Sequence, residues 1–213
     1  MRPVSSSVNV PCYDLSKHIG EILKNTISKT YNIKNSFELI KQIEDITLHK
    51  EDILVSFDVI SLFTNIPIHL AIKNIMTEWD TIKQHTNINK SKFLTILDFC
   101  LKDNNYFKFD NNFYQQTYGM PMGNPLSATI ADIIMDKLLD YTVDILSKNN
   151  VSFKFIVKYV DDIFAIFKRE DENIILKTLN NNHKLQFTIE HEQNIFLDIK
   201  IHKLDNKLIT NLY

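Results

Sequence analysis

Apolar residues recur at helical spacing along much of this chain. Leu15, Ile19, Ile22, Leu23 and Ile27 predict a helix over 13–29. Ser36 is placed to cap a second helix carrying Phe37, Ile40, Ile43 and Ile46. Pro67 suits the first turn of a helix bearing Leu70, Ala71, Ile75, Met76 and Trp79, and Ser91 opens another with Phe93, Leu94, Leu97 and Leu101. A long helix over 126–147 presents Ile130, Ile133, Ile134, Leu138, Leu139 and Val143, and a shorter one is expected near 171–181.

Between these lie runs of a different texture. Ile53 to Asp58, ILVSFD, is a short apolar run rather than an alternating one, which reads as a buried strand. YFKFD and FYQQ around Asn111-Asn112 predict a hairpin from 105. Two apolar strands, 153–160 and 163–168, are separated only by Asp161-Asp162, and further strands are expected near 186–190, 195–202 and 207–212. No repeat or linker interrupts the pattern. Helices against one antiparallel sheet make an α+β fold.

Composition narrows this picture. With 213 residues and 44% hydrophobic content the chain can bury one substantial core, and three glycines argue against low complexity. A net charge of −2 lacks the basic excess that usually marks a nucleic-acid partner, so a local site must supply that case. Cys12 and Cys100 form no CxxC pair and read as reduced, buried thiols of an intracellular protein. Neither a signal-peptide pattern nor an apolar run of about 18 residues occurs, so no membrane partner is expected.

The candidate chemistry is carboxylate chemistry. Asp161 and Asp162 sit side by side where a tight turn is expected, and adjacent like charges against an apolar sheet are costly. Taken alone, the pair is better read as a solvated turn. Asp58 ends its strand, and its plain reading is a loop or capping residue. If that strand lies antiparallel beside 153–160, Asp58 and Asp161 meet at one sheet edge. Three converging carboxylates call for a cation, and an all-oxygen set favours Mg²⁺ or Mn²⁺.

Motifs then bring in a specific resemblance. Tyr159-Val160-Asp161-Asp162 matches the YxDD motif of reverse transcriptases, and Ser56 to Pro67, SFDVISLFTNIP, resembles that family's motif holding the first aspartate. Tyr118 to Ser127, YGMPMGNPLS, resembles the loop and helix that support template and nucleotide. Phe196-Leu197-Asp198-Ile199 looks like the primer-grip hairpin, and Arg2-Pro3-Val4 like the end of the fingers motif. The SLFTNIP, PMGNPLS and KYVDDIF wording is most similar to the Penelope-like retroelement branch. Asn124 and Ala128 depart from it, where serine and proline are usual.

This resemblance implies a reverse-transcriptase palm with partial fingers over 1–213, an antiparallel sheet packed against helices. It implies RNA-directed DNA synthesis by two Mg²⁺ or Mn²⁺ ions, with Asp58, Asp161 and Asp162 as catalytic residues and metal ligands. The partners implied are an RNA or DNA template with its primer and deoxynucleoside triphosphates, in a nuclear setting. Arg2 would meet the triphosphate, Phe63 would act as the steric gate against ribose, and Met122 and Gly123 would line the nascent pair. Gly123 and Pro125 would let backbone approach closely; their plain reading is a loop before a helix, and that of Phe63 is a core residue. The remaining fingers, a thumb and an endonuclease are expected outside 1–213.

Three readings follow. They are a polymerase domain, a catalytically inactive remnant that binds nucleic acid or serves as structure, and a two-metal nuclease, which leaves Phe63 and the 118–127 loop unexplained. The seven histidines form no ligand pair. Asp132 and Asp136 read as a solvated helix face, and His183 and Lys184 as surface charges.

Overall fold

The computed structural model describes residues 11–27, 30–103, 106–181, 185–191 and 195–212. The chain forms two compact units, Met1–Ile27 with Ser61–Asp136, and Ser28–Ile60 with Lys137–Tyr213. Among the described residues no helix is long and apolar enough to cross a membrane.

The first unit is mainly helical. It contains α1 (Tyr13–Lys24), α3 (Leu62–Asn65), α4 (Ile68–Thr77), α5 (Trp79–Ile82), α6 (Lys90–Asp98) and the start of α7 (Pro125–Lys148). Ile19, Leu23, Ile75, Ile82, Phe93 and Leu97 are fully buried, and Trp79 meets Phe93 edge-on at 5.6 Å. α6 begins one residue earlier than expected, because Asn89 rather than Ser91 caps it and accepts from Lys92 N at 2.9 Å. Cys12 and Cys100 are free, buried thiols, as expected. The hairpin β2 (Tyr106–Phe109) and β3 (Asn112–Gln115) is present, with Phe107 stacked on Tyr114.

The second unit holds α2 (Ser36–Ile43), β1 (Asp52–Val59), β4 (Phe155–Tyr159), β5 (Asp162–Lys168), α8 (Glu172–Asn181) and β6 (Phe187–Glu190). Strands run β4-β5-β1-β6, antiparallel at each pairing. β1 therefore lies beside β5, not beside β4 as the sequence suggested, and it is parallel to β4. Asn35, not Ser36, caps α2, accepting from Glu38 N at 3.0 Å.

Ile163 to Phe167 are all buried, so β5 is covered on both faces. This explains the missing alternation. On one face Leu54, Val157, Phe164 and Ile166 pack with Leu39 and Ile43 of α2 and with Phe196, Ile199 and Ile201. The last three belong to a second sheet, β7 (Ile195–Phe196), β8 (Ile199–Leu204) and β9 (Lys207–Leu212). A single strand over 195–202 was expected; a turn at Leu197-Asp198, with Leu197 at φ 57°, breaks it into the hairpin that the FLDI motif resembled. On the opposite face Phe57 stacks on Phe167 at 6.1 Å.

Lys158 is fully buried, and its Nζ donates to Asn32 Oδ1 at 2.7 Å. Asn32 also forms a parallel bridge to Lys158, which fastens residues 31–33 along the outer edge of β4. Asp136 departs from expectation too, since it is 4% exposed and not on a solvated face.

Candidate active site

The carboxylates reach one end of the four-stranded sheet through strand register. Phe57 faces Ile163, so one step further Asp58 faces Asp162. Asp162 pairs with Tyr159 on its other side and Asp58 pairs with Thr188. The terminal row across the sheet is thus Tyr159, Asp162, Asp58 and Thr188. Two rows in, past Phe57 and Ile189, Ser56 pairs with Glu190. Alternation puts Ser56 and Asp58 on the same face, and hence Glu190 as well.

Val160 and Asp161 form the two-residue turn between Tyr159 and Asp162. Val160 takes φ 57°, a left-handed conformation that a β-branched residue rarely adopts. The turn therefore carries backbone strain of order 1–3 kcal/mol, next to the paired aspartates.

Burial and charge crowding act together on one of these acids. The Asp162 carboxyl is pushed up to about 6, first by burial and then by the charges of Asp161, Asp58 and Glu190. Two of the predicted acids, Asp58 and Asp161, thus act on the third, and Glu190 acts on it as well. Glu190 was not legible in the sequence, since no motif surrounds it and only the β1–β6 register brings it in.

As the side chains stand, no group of three or more His, Cys, Asp or Glu among the described residues is arranged to hold a metal ion. The donor chemistry nonetheless fits a hard cation, because the four interacting groups are carboxylates and Asp162 is destabilised in its charged form.

The other predicted site residues belong to the first unit. Phe63, in α3, is half-buried, and its carbonyl accepts from Met120 N at 2.8 Å. Gly119, at φ +77°, lies so close to Thr64 that a Cβ would stand 2.5 Å from the Thr64 carbonyl oxygen. α3 and the 118–124 loop are therefore pressed backbone to backbone. Met122 is half-buried and Gly123, exposed, turns at φ 100°. Asn124, which departs from the resembled pattern, has a structural task. Its Oδ1 accepts from Leu126 N at 2.9 Å, capping α7 ahead of Pro125, and its Nδ2 donates to Cys100 O at 2.9 Å. Arg2, His183 and Lys184 lie outside the described residues.

An antiparallel sheet with acidic residues at one end and helices packed on it makes a palm-like α+β fold. The family comparison makes this specific: the pattern of reverse transcriptase (RNA-dependent DNA polymerase) matches residues 1–207, and the chain belongs to that family.

No curated relative matches the chain. Among solved structures it is similar to telomerase from Candida albicans in complex with a TWJ fragment of telomeric RNA, with a TM-score of 0.68 and 14% identity. That match covers 92% of this chain and 39% of the telomerase chain. Apo telomerase from Candida tropicalis, truncated from its C-terminal domain, matches at TM-score 0.62 and 12% identity, over 94% of this chain and 45% of that one. The BmCPV RNA-dependent RNA polymerase at its elongation state matches at 0.56 and 13%, over 88% and 18%. The chain thus spans less than half the length of these neighbours, and at such identities they share its fold.

Proposed function

We propose that this chain is the catalytic domain of an RNA-directed DNA polymerase, adding deoxynucleotides to a primer 3′-hydroxyl on an RNA or DNA template. One observation carries the reading: Asp58, Asp161 and Glu190 all act electrostatically on Asp162 at one sheet end of a reverse transcriptase family chain. Asp58, Asp161 and Asp162 would hold two divalent cations, Mg²⁺ or Mn²⁺. Such ions supply Lewis acidity for activating the 3′-hydroxyl and neutralising charge on the leaving pyrophosphate.

The chain's own residues do the positioning. Neighbouring carboxylates keep Asp162 primed for a cation, because its charge is poorly tolerated without one. Phe63 serves as the steric gate beside the sugar, and Met122 and Gly123 line the nascent base pair. Arg2 meets the triphosphate. Residues 1–213 represent palm with partial fingers, and the wording of the motifs favours a Penelope-like retroelement acting in the nucleus.

The test is primer extension on RNA and DNA templates with Mg²⁺ or Mn²⁺, beside an Asp161→Asn control. Extension by the parent and none by the variant supports the reading. Template binding without extension, under every metal condition, moves the chain to the non-catalytic reading.

A further inference from the structure

At the opposite end of the four-stranded sheet from the aspartates, a cavity of about 420 Å³ opens in the second unit. Asp52, which begins β1, lines it, six residues or roughly 20 Å along the strand from Asp58. Arg169, Glu172, His191 and Lys203 complete its polar wall.

Both carboxylates in this wall are already partnered. Asp52 pairs with Lys154 and accepts from His49 N at 2.7 Å. Glu172 Oε1 lies 3.1 Å from His191 Nε2. The two strong cations are not neutralised. Among the described residues neither Arg169 nor Lys203 makes an ion pair, and Lys203 Nζ donates only to the His49 carbonyl at 2.6 Å. With Lys154 matched to Asp52, Arg169 and Lys203 outweigh Glu172 by one positive charge while His191 is neutral, and by two when it is protonated.

The residue type is informative as well. The chain has 24 lysines and arginines, yet only positions 2 and 169 are arginine. Arg169 is held at the end of β5 by its backbone N, which donates to Glu51 O at 3.0 Å. A guanidinium offers a planar fork of donors suited to tetrahedral or planar oxyanions, and a lysine from a second element adds a point charge. A phosphate has enough oxygens to accept from both at once, and the volume admits a group of nucleotide size.

We propose that this cavity binds a phosphate group through Arg169 and Lys203, carried on a free nucleotide or on the backbone of a nucleic-acid strand. The site is separate from the acidic end and does not rest on the polymerase reading.

Binding is measured on the full chain at fixed ionic strength with a chelator present, so that metal chemistry is silent whatever the polymerase test returns. The probes are inorganic phosphate, deoxyadenosine monophosphate, a single-stranded oligonucleotide without terminal phosphate, and acetate. Arg169→Gln and Lys203→Gln, both at exposed positions, are first shown to melt at the parent's temperature without phosphate.

The expected result is saturable phosphate binding by the parent, weakened about tenfold or more by Arg169→Gln and partly restored in Arg169→Lys. Tighter binding of the mononucleotide, dependent on Arg169, identifies the free nucleotide as the source; oligonucleotide binding with the same dependence identifies the strand. Equal binding by parent and double variant, equal binding of acetate and phosphate, or no saturation in the parent with any phosphate probe overturns the proposal.

Discussion

Asp58 and Asp162 stand across from each other one step beyond Phe57 and Ile163, the last register partners of β1 and β5. Two carboxylates are thereby set side by side in the terminal row of a sheet whose interior is apolar. The register thereby brings them to one end of the sheet, where Asp58 repels the charged form of Asp162.

Burial of Asp162, together with that repulsion, fixes a pH dependence in metal-free solution. Asp162 binds its proton more tightly when folded, up to about 6 against an ordinary value of 3.8. The folded state then holds more protons than the unfolded one, and stability falls as pH rises from about 4 through 6. Asp162→Asn is expected to abolish this slope and to stabilise the chain above pH 7 by about 1 kcal/mol, a figure reduced for solvent screening because the group is only partly withdrawn from water. Urea unfolding in chelator across pH 4–8 reads it.

Val160 in the turn between the aspartates is strained at φ 57°. Glycine removes the left-handed penalty of roughly 1–2 kcal/mol and adds back roughly 0.5–1 kcal/mol of unfolded-chain entropy. Val160→Gly is expected to raise stability by about 0.5–1 kcal/mol in urea melts. A loss of stability would show that the turn is relaxed.

Gly119 has no room for a side chain. A Cβ there would lie 2.5 Å from the Thr64 carbonyl oxygen, with φ +77° adding strain. Gly119→Ala is expected to destabilise the chain by about 2–4 kcal/mol, and Gly20→Ala, with its nearest neighbour at 3.5 Å, by much less. Comparing the two unfolding midpoints tests the difference.

Asp52 gives the opposite sign to Asp162. Burial pushes its carboxyl up, but the Lys154 ammonium and the His49 N–H outweigh this and hold it below the ordinary 3.8. The stability it contributes is present above about pH 4 and lost as pH falls through the lowered value. Asp52→Asn is expected to cost about 1–3 kcal/mol at pH 7 and to flatten the acid limb below pH 4, as followed by circular dichroism.

If Phe63 is the gate, trimming its ring should admit ribonucleotides. Phe63→Val is expected to shift the deoxy-to-ribo ratio of kcat/KM by about tenfold or more, with deoxynucleotide use changed less. An unchanged ratio in a folded, active variant returns Phe63 to the core.

The sequence by itself determined the elements and the acids. The helical spacing of Ile19, Ile22 and Leu23, or of Ile130, Ile133 and Ile134, depends on periodicity within one segment, and the structure keeps those helices. Asp161 and Asp162 announced themselves because two carboxylates between apolar strands are locally conspicuous. Helix starts slipped by a residue where Asn35 and Asn89 outcompeted neighbouring serines as caps. Tertiary structure alone decided the strand order. A strand buried on both faces shows no alternation, so nothing within β1 says whether β4 or β5 lies beside it. The same lack of local signal hid Glu190, which joins the acids through cross-strand register. It also hid the burial of Lys158 and Asp136, because whether a charged side chain meets water depends on what distant segments pack over it.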